Sequence, residues 1–164
     1  MTLQALALSL FTAVMAVAAF EDFRRLKIPN LLPLLLCAAW PLYVAAVPIP
    51  GGIVIGAVGV ALAVFLASAL LFARGWLGGG DVKLLSAATL WAGAPQTFGL
   101  LAATGVLGGV LALILVSPLG RYASSARSWL GQPAIADPTA SPPVPYGVAI
   151  AGASVIVVVS PHIA

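Results

Sequence analysis

The chain has 164 residues, of which 62% are hydrophobic and only 7% are charged, and its formal net charge is +3. A mean hydropathy of +1.16 excludes an ordinary water-soluble domain. We therefore expect an all-α membrane protein in which residues 1–164 form a single domain embedded in the lipid bilayer. The seven Lys and Arg residues form no dense cluster, so no nucleic-acid partner is expected.

Breaks at proline, glycine and charged residues divide the chain into six apolar runs. A helix needs roughly 17 to 25 apolar residues to cross the hydrocarbon core of a membrane. The pattern predicts a polytopic bundle of about six transmembrane helices. They cover residues 2–20, 31–47, 53–73, 82–97, 98–116 and 146–160, with a proline-rich cytoplasmic loop at 117–145.

The distribution of basic residues predicts the orientation of this bundle. If the N-terminus lies outside, segments 21–30, 74–81 and 117–145 face the cytoplasm. Six of the seven basic residues fall in these segments, and Lys83 begins the next helix on the same side. The outer connections 48–52 and 94–97 contain no Lys or Arg. This asymmetry is the positive-inside pattern.

Two of the four acidic residues stand at the edges of apolar runs. Asp22 follows the first predicted helix and Asp81 precedes the fourth, so the topology brings both to the cytoplasmic face. Ionisable groups near bilayer depth are costly and usually functional. Gly78 and Gly80 precede Asp81, and residues without a Cβ atom would let a substrate backbone approach closely.

Two neighbouring carboxylates that share one proton can hydrolyse a peptide bond. One accepts a proton from the attacking water while the other donates a proton to the carbonyl oxygen. A serine mechanism would need a base, and the one histidine, His162, falls on the predicted outer side. The chain has no His-Glu-x-x-His zinc motif. We expect aspartyl proteolysis with no metal and no cofactor.

Three segments carry a resemblance to a known family. They are Asp22 with Arg24, Arg25, Lys27 and Ile28-Pro29-Asn30, then Gly78-x-Gly80-Asp81-Val82-Lys83-Leu84-Leu85, and finally Pro145-Tyr146-Gly147. Together, in this order and at this spacing, they resemble the small type IV prepilin peptidases of tight-adherence pili, and the archaeal preflagellin peptidases are similar.

The resemblance implies a GxGD membrane aspartyl protease with Asp22 and Asp81 as its catalytic pair. Such an enzyme removes the leader peptide from a pilin or preflagellin-like precursor at the cytoplasmic face of the prokaryotic cell (inner) membrane. Larger members also methylate the new N-terminus and carry a cytosolic insertion with paired cysteines. This chain has a single cysteine and no such insertion, so methylation is not predicted.

The residues around the two aspartates allow more than one interpretation. Gly78 and Gly80 are assigned to an active-site loop. Lys83 could act near Asp81 or anchor the helix at the lipid headgroups. The candidates for a substrate-binding role are Pro29, Asn30, Tyr146 and Gly147, although Pro29-Asn30 could merely separate two helices and Tyr146-Gly147 could mark the membrane interface.

Alternative functions also follow from the same residues. Asp81 could simply cap the fourth helix, and Asp22 could be an ordinary interfacial charge. An ion- or proton-coupled transporter could relay ions through both, but it predicts carboxylates spaced across the bilayer rather than at one face. A non-catalytic pilus-assembly subunit is a further alternative, which would leave the glycine-aspartate loop without a purpose.

Overall fold

A computed structural model describes residues 2–117 and 144–162. Five helices make up this part of the chain, which contains no β-strand, so the predicted all-α class is confirmed. The helices are α1 (Leu3–Arg25), α2 (Leu31–Ala46), α3 (Gly51–Ala73), α4 (Gly79–Val116) and α5 (Tyr146–Val159), followed by a 3₁₀ turn at Ser160–His162. Most of the loop predicted at 117–145 lies outside the described residues.

The helices have the length and surface of membrane-spanning segments. Helices α1, α3 and α4 are long and apolar enough to cross a bilayer, and α2 and α5 are shorter apolar helices. Large hydrophobic side chains also cover the outside of the bundle; for example, Ile55 is 74% exposed and Phe98 is 83% exposed. Such a surface suits lipid better than water. Six crossings and an external N-terminus remain predictions.

Helix α4 covers both the fourth and the fifth predicted helix, with a break inside it. Gly93 has backbone angles that are not helical, φ 68° and ψ 174°, and Pro95 follows two residues later. Proline has no backbone N–H and disturbs the turn that precedes it. The break therefore lies at Gly93, directly before the connection that the sequence pattern predicted at 94–97. We call residues 79–92 the first arm of α4 and residues 94–116 the second arm.

The second arm runs back toward the end of the bundle where α4 begins. In a straight helix, Gly108 would lie about 43 Å from Gly79, at about 1.5 Å per residue. Gly108 instead packs against the ring of Tyr146. Gly147, the residue after Tyr146, contacts Asp22, and Asp22 lines the same cavity as Gly79. The chain therefore reverses direction at the Gly93 break.

The core is centred on Trp91 in the first arm of α4. Its indole ring stacks at 4.8 Å from the ring of Phe11 in α1 and 5.4 Å from the ring of Tyr43 in α2, measured between centroids. The Trp91 Nε1–H donates a hydrogen bond of 2.9 Å to the Leu36 carbonyl oxygen. A buried indole N–H needs such a partner. This residue therefore ties α1, α2 and α4 together.

The order of packing brings three helix ends together. Helix α4 packs against α2, α3 and α5, and α1 packs against α2 and α5. As a result, the C-terminal end of α1, the N-terminal end of α4 and the N-terminal end of α5 meet at one end of the bundle. The connection from Leu26 to Asn30 lies beside this meeting point.

Candidate active site

Asp22 lies in the last turn of α1 and is only 5% exposed. Its Oδ2 atom accepts a hydrogen bond of 2.7 Å from the backbone N–H of Gly147. Because Gly147 stands in the first turn of α5, that N–H has no acceptor within its own helix. A helix N-terminus also stabilises a nearby negative charge. The start of α5 therefore orients the Asp22 carboxylate.

Asp81 lies in the first turn of α4, three residues after the N-cap residue Gly78. Its carboxylate accepts a hydrogen bond from the backbone N–H of Gly78, as an acidic residue commonly does at this position. The Oδ1 atom is buried and has no hydrogen-bond partner among the described residues. A buried oxygen without a partner is costly, and such atoms often belong to functional sites.

The two aspartates line one cavity of about 300 Å³. Asp22 enters it from α1 and Asp81 from α4, and the two carboxylates are close enough to repel each other when both are ionised. The remaining lining comes from Leu26, Lys27, Ile28, Gly78, Gly79 and Gly80. Two acids that are 59 positions apart in the chain thus share a single cavity. That arrangement can hold a water molecule and share a proton.

Glycines permit the close packing around this cavity. A Cβ atom added at Gly147 would lie 2.8 Å from Asp22 Oδ2 and 2.9 Å from Asp22 Cβ. A Cβ atom added at Gly78 would lie 2.7 Å from Asp81 Oδ2. No larger residue fits either position without displacing a carboxylate. Both glycines were predicted site residues, and the structure places each against one of the aspartates.

Ile28 is a neighbour of the site that the sequence analysis gave no role. It is 9% exposed, and it packs against Gly80 of α4 and Gly147 of α5. The signal in the sequence is an apolar residue directly after the charged run Arg24-Arg25-Leu26-Lys27. An isoleucine at that position has no reason to face water or headgroups, so its burial could have been expected.

Lys83 and Asn30 lie together but apart from the aspartates. The Lys83 Nζ atom donates a hydrogen bond of 2.7 Å to Asn30 Oδ1. Both residues line a second, mostly apolar cavity of about 430 Å³ between α2, α3 and α4. Since Asp81 and Lys83 are two residues apart, they point about 200° apart around α4. The structure does not bring Lys83 or Asn30 into the cavity of the two acids.

Two further predicted residues lie beside the site without lining its cavity. Pro29 is exposed, and Tyr146 packs its ring over Gly108 of the second arm of α4. Tyr146 nevertheless stands next to Gly147, so its packing helps to hold the start of α5. Within residues 2–117 and 144–162, no group of three or more His, Cys, Asp or Glu side chains could hold a metal ion.

These features define an all-helical membrane protein with a pair of carboxylates in one cavity at the helix ends. The model of the type IV leader peptidase family matches residues 9–113, more than half of the chain and a range that includes Asp22 and Asp81. The chain belongs to this family of peptidases, which confirms the resemblance found in the sequence. No curated protein and no solved structure matches the chain.

Proposed function

We propose that this protein is a membrane-embedded aspartyl endopeptidase that removes the leader peptide from type IV pilin-like precursors. The observation that carries the proposal is the shared cavity of Asp22 and Asp81. Membership of the type IV leader peptidase family supports both the reaction and a pilin-like substrate. The proposed location is the prokaryotic inner membrane, with the site open to the cytoplasm, because most basic residues cluster at the same predicted side.

The reaction needs one ionised and one protonated carboxyl group. The ionised carboxylate accepts a proton from a water molecule as the water oxygen attacks the carbonyl carbon of the scissile peptide bond. The protonated group donates its proton to the carbonyl oxygen, giving a tetrahedral intermediate. Collapse of that intermediate breaks the C–N bond. The leaving nitrogen takes up a proton from the aspartate that had accepted one from water, and a hydroxyl group of the intermediate returns a proton to the other aspartate as the carbonyl group re-forms.

The hydrogen bond from Gly147 orients the Asp22 carboxylate in the cavity. Asp22 Oδ2 accepts the Gly147 N–H at 2.7 Å, which holds the carboxylate at the start of α5 and next to Asp81. Asp81 Oδ1 has no partner among the described residues, which leaves it available to donate to or accept from a substrate carbonyl. The glycines beside both acids let the helix backbones pack directly against the two carboxylates.

The test is cleavage of a co-expressed pilin precursor by the Asp22→Asn and Asp81→Asn variants. Each substitution removes an ionisable group while conserving side-chain size, and each should lower the cleavage rate at least about 100-fold. Glu21→Gln is the matched control, because Glu21 adjoins Asp22 but pairs with Arg25 at 3.3 Å instead of lining the cavity. Membrane insertion of every variant is checked by quantitative immunoblotting of the membrane fraction.

Full cleavage by both aspartate variants would refute the proposal and favour a structural role for the two acids. Loss of cleavage in the Glu21→Gln variant as well would point to a general effect of charge at the end of α1. The proposal requires the two aspartates to be essential and their acidic neighbour to be dispensable.

A further inference from the structure

We propose that Ile28 is a positioning residue that sets the spacing of Asp22 and Asp81. The inference rests on the proposed function in so far as that spacing serves catalysis. Ile28 belongs to the connection between α1 and α2 and lines the cavity of the two aspartates. It acts through the two glycines that it contacts, one beside each aspartate.

The contacts of Ile28 reach two helix ends at once. A Cβ atom added at Gly80 would lie 3.0 Å from Ile28 Cβ and 3.4 Å from the Ile28 backbone nitrogen. A Cβ atom added at Gly147 would lie 2.7 Å from Ile28 Cδ1. The base of the isoleucine therefore packs on the backbone of α4, and its tip packs on the backbone of α5.

Each of these glycines is directly coupled to a carboxylate. Gly80 is the residue before Asp81, and Gly147 donates the hydrogen bond to Asp22 Oδ2. Moving the first turn of α4 moves Asp81, and moving the first turn of α5 releases or strains Asp22. Because packed interiors transmit small displacements, the side chain between these two turns determines how far apart the acids lie.

The loop that carries Ile28 is held at both ends. Leu26 ends α1 in a left-handed conformation, φ 52°, and its N–H donates to the Asp22 carbonyl oxygen at 2.8 Å. Asn30 is bonded to Lys83 of α4 at 2.7 Å. Lys27 and Pro29 on either side of Ile28 are exposed, whereas Ile28 is buried. The loop thus holds Ile28 between the starts of α4 and α5 from two fixed ends.

The direct test measures the spacing without a substrate. Asp22→Cys and Asp81→Cys are combined in a Cys37→Ala background, and the pair is cross-linked in membranes with bis-methanethiosulfonate reagents of graded spacer length. The profile is compared in the parent, Ile28→Ala and Leu32→Ala. Leu32 is matched to Ile28 in size and burial, 8% against 9% exposed, but none of its atoms is among the three nearest to an added Cβ at either glycine.

We expect Ile28→Ala to change the spacer length that cross-links fastest, or to remove the preference for one spacer length. Leu32→Ala should leave the cross-linking profile unchanged. An unchanged profile in Ile28→Ala would overturn the proposal. If Ile28→Ala does not insert, Ile28→Val serves instead, because valine keeps the contact with Gly80 and loses only the Cδ1 atom that reaches Gly147. For Ile28→Val we expect a smaller shift of the preferred spacer length than for Ile28→Ala, in the same cross-linking experiment.

A second measurement connects the spacing to cleavage. In purified enzyme with both aspartates present, Ile28→Ala should lower kcat on the order of 100-fold, as a displacement of about 1 Å at a catalytic group does, with KM within about twofold. Ile28→Val should retain more activity, with a loss of about tenfold. Leu32→Ala should keep the parental kcat. A rise of kcat in Ile28→Ala would overturn the proposal, because it would mean that Ile28 blocks the site.

The two proposals fail separately. If Asp22→Asn and Asp81→Asn still cut the precursor, the peptidase mechanism fails, and the cross-linking profile still decides the role of Ile28. If both aspartates are essential but the profile and kcat are unaffected by Ile28→Ala, the mechanism stands and the positioning role is refuted.

Discussion

The backbone N–H of Gly147 donates a 2.7 Å hydrogen bond to the side chain of Asp22, 125 residues earlier in the chain. The family match ends at residue 113, so this donor lies beyond it. The last described helix is therefore part of the candidate site rather than only a membrane anchor. Because a backbone N–H provides the contact, side-chain identity at position 147 matters through the space that it occupies.

Gly147→Ala should abolish most activity. The new methyl group would lie under 3 Å from Asp22 Oδ2, Asp22 Cβ and Ile28 Cδ1, so the carboxylate must move. We expect a loss of cleavage of about 100-fold and a destabilisation of about 1–3 kcal/mol from overpacking. The measurements are precursor cleavage and thermal unfolding in detergent.

Gly152→Ala in the same helix is the control for this substitution. A Cβ atom there would lie 3.5 Å from Leu107 Cδ1, an ordinary contact, so activity and stability should stay close to those of the parent. Equal activity of Gly147→Ala and Gly152→Ala would show that the close packing on Asp22 does not matter for catalysis.

Gly78→Ala should impair activity more than folding. The backbone angles of Gly78, φ −74° and ψ 144°, suit any residue, so the added Cβ atom causes no backbone strain. It would, however, lie 2.7 Å from Asp81 Oδ2, and the carboxylate can rotate away at little cost in stability. We expect a fall in kcat of at least about tenfold and a change in unfolding free energy within about 0.5 kcal/mol.

The matched control for Gly78→Ala is Gly52→Ala at the start of α3, where no atom lies within 4 Å of the new methyl group. Kinetics at several precursor concentrations, together with thermal unfolding, separate the two effects. A large loss of stability in Gly78→Ala, with kcat preserved, would contradict the assignment of this contact to Asp81 alone.

The sequence was sufficient to predict both aspartates and their immediate glycines. The two aspartates stand out because acids are rare in this chain and because topology brings both acids to one end of the bundle. Gly78 stands out because it closely precedes Asp81. The all-helical class followed from composition in the same way. The helical class and the meeting of the two acids in one cavity were accessible because they depend on local pattern and on which end of each helix a residue occupies, whereas the catalytic role of the acids stays a prediction.

Other features depend on contacts that no local pattern encodes. The hydrogen bond between Gly147 and Asp22 joins distant segments, and the contacts of Ile28 are with two helices that come later in the chain. The sequence alone was enough to predict that Lys83 points away from Asp81, because two residues correspond to about 200° of rotation around a helix. The connection predicted at 94–97 begins one residue after the break at Gly93. Glycine occurs often in membrane helices, so only the backbone angles identify Gly93 as the residue at which the helix breaks.

Trp91→Phe should weaken the core without involving the site. The substitution removes the Nε1–H donor to the Leu36 carbonyl and leaves unfilled volume between Phe11 and Tyr43. We expect a destabilisation of about 1–3 kcal/mol, measured by reversible unfolding in detergent. Trp76→Phe is the control, because Trp76 is 72% exposed and its replacement should change stability by less than about 0.5 kcal/mol. Equal effects of the two substitutions would contradict the central role of Trp91 in packing.

Gly93→Ala tests whether the reversal within α4 depends on backbone conformation. The angles φ 68° and ψ 174° lie in a region that is essentially restricted to glycine, so an alanine there is strained by about 1–3 kcal/mol. The space around the residue is not the obstacle, since the nearest atom to an added Cβ would be Pro95 Cδ at 3.8 Å. We therefore expect a loss of unfolding free energy of this size.

Gly99→Ala in the second arm provides the comparison for Gly93→Ala. Its surroundings are open and its backbone is helical, so the alanine should be neutral or stabilise by up to about 1 kcal/mol. Unfolding free energies of both variants, measured under the same detergent conditions, give the difference. Equal stability of Gly93→Ala and Gly99→Ala would mean that the chain reverses through a different backbone conformation. The reversal itself is needed, because a continuous helix from Gly79 would carry Gly108 away from Tyr146. The start of α5 would then lose this packing partner.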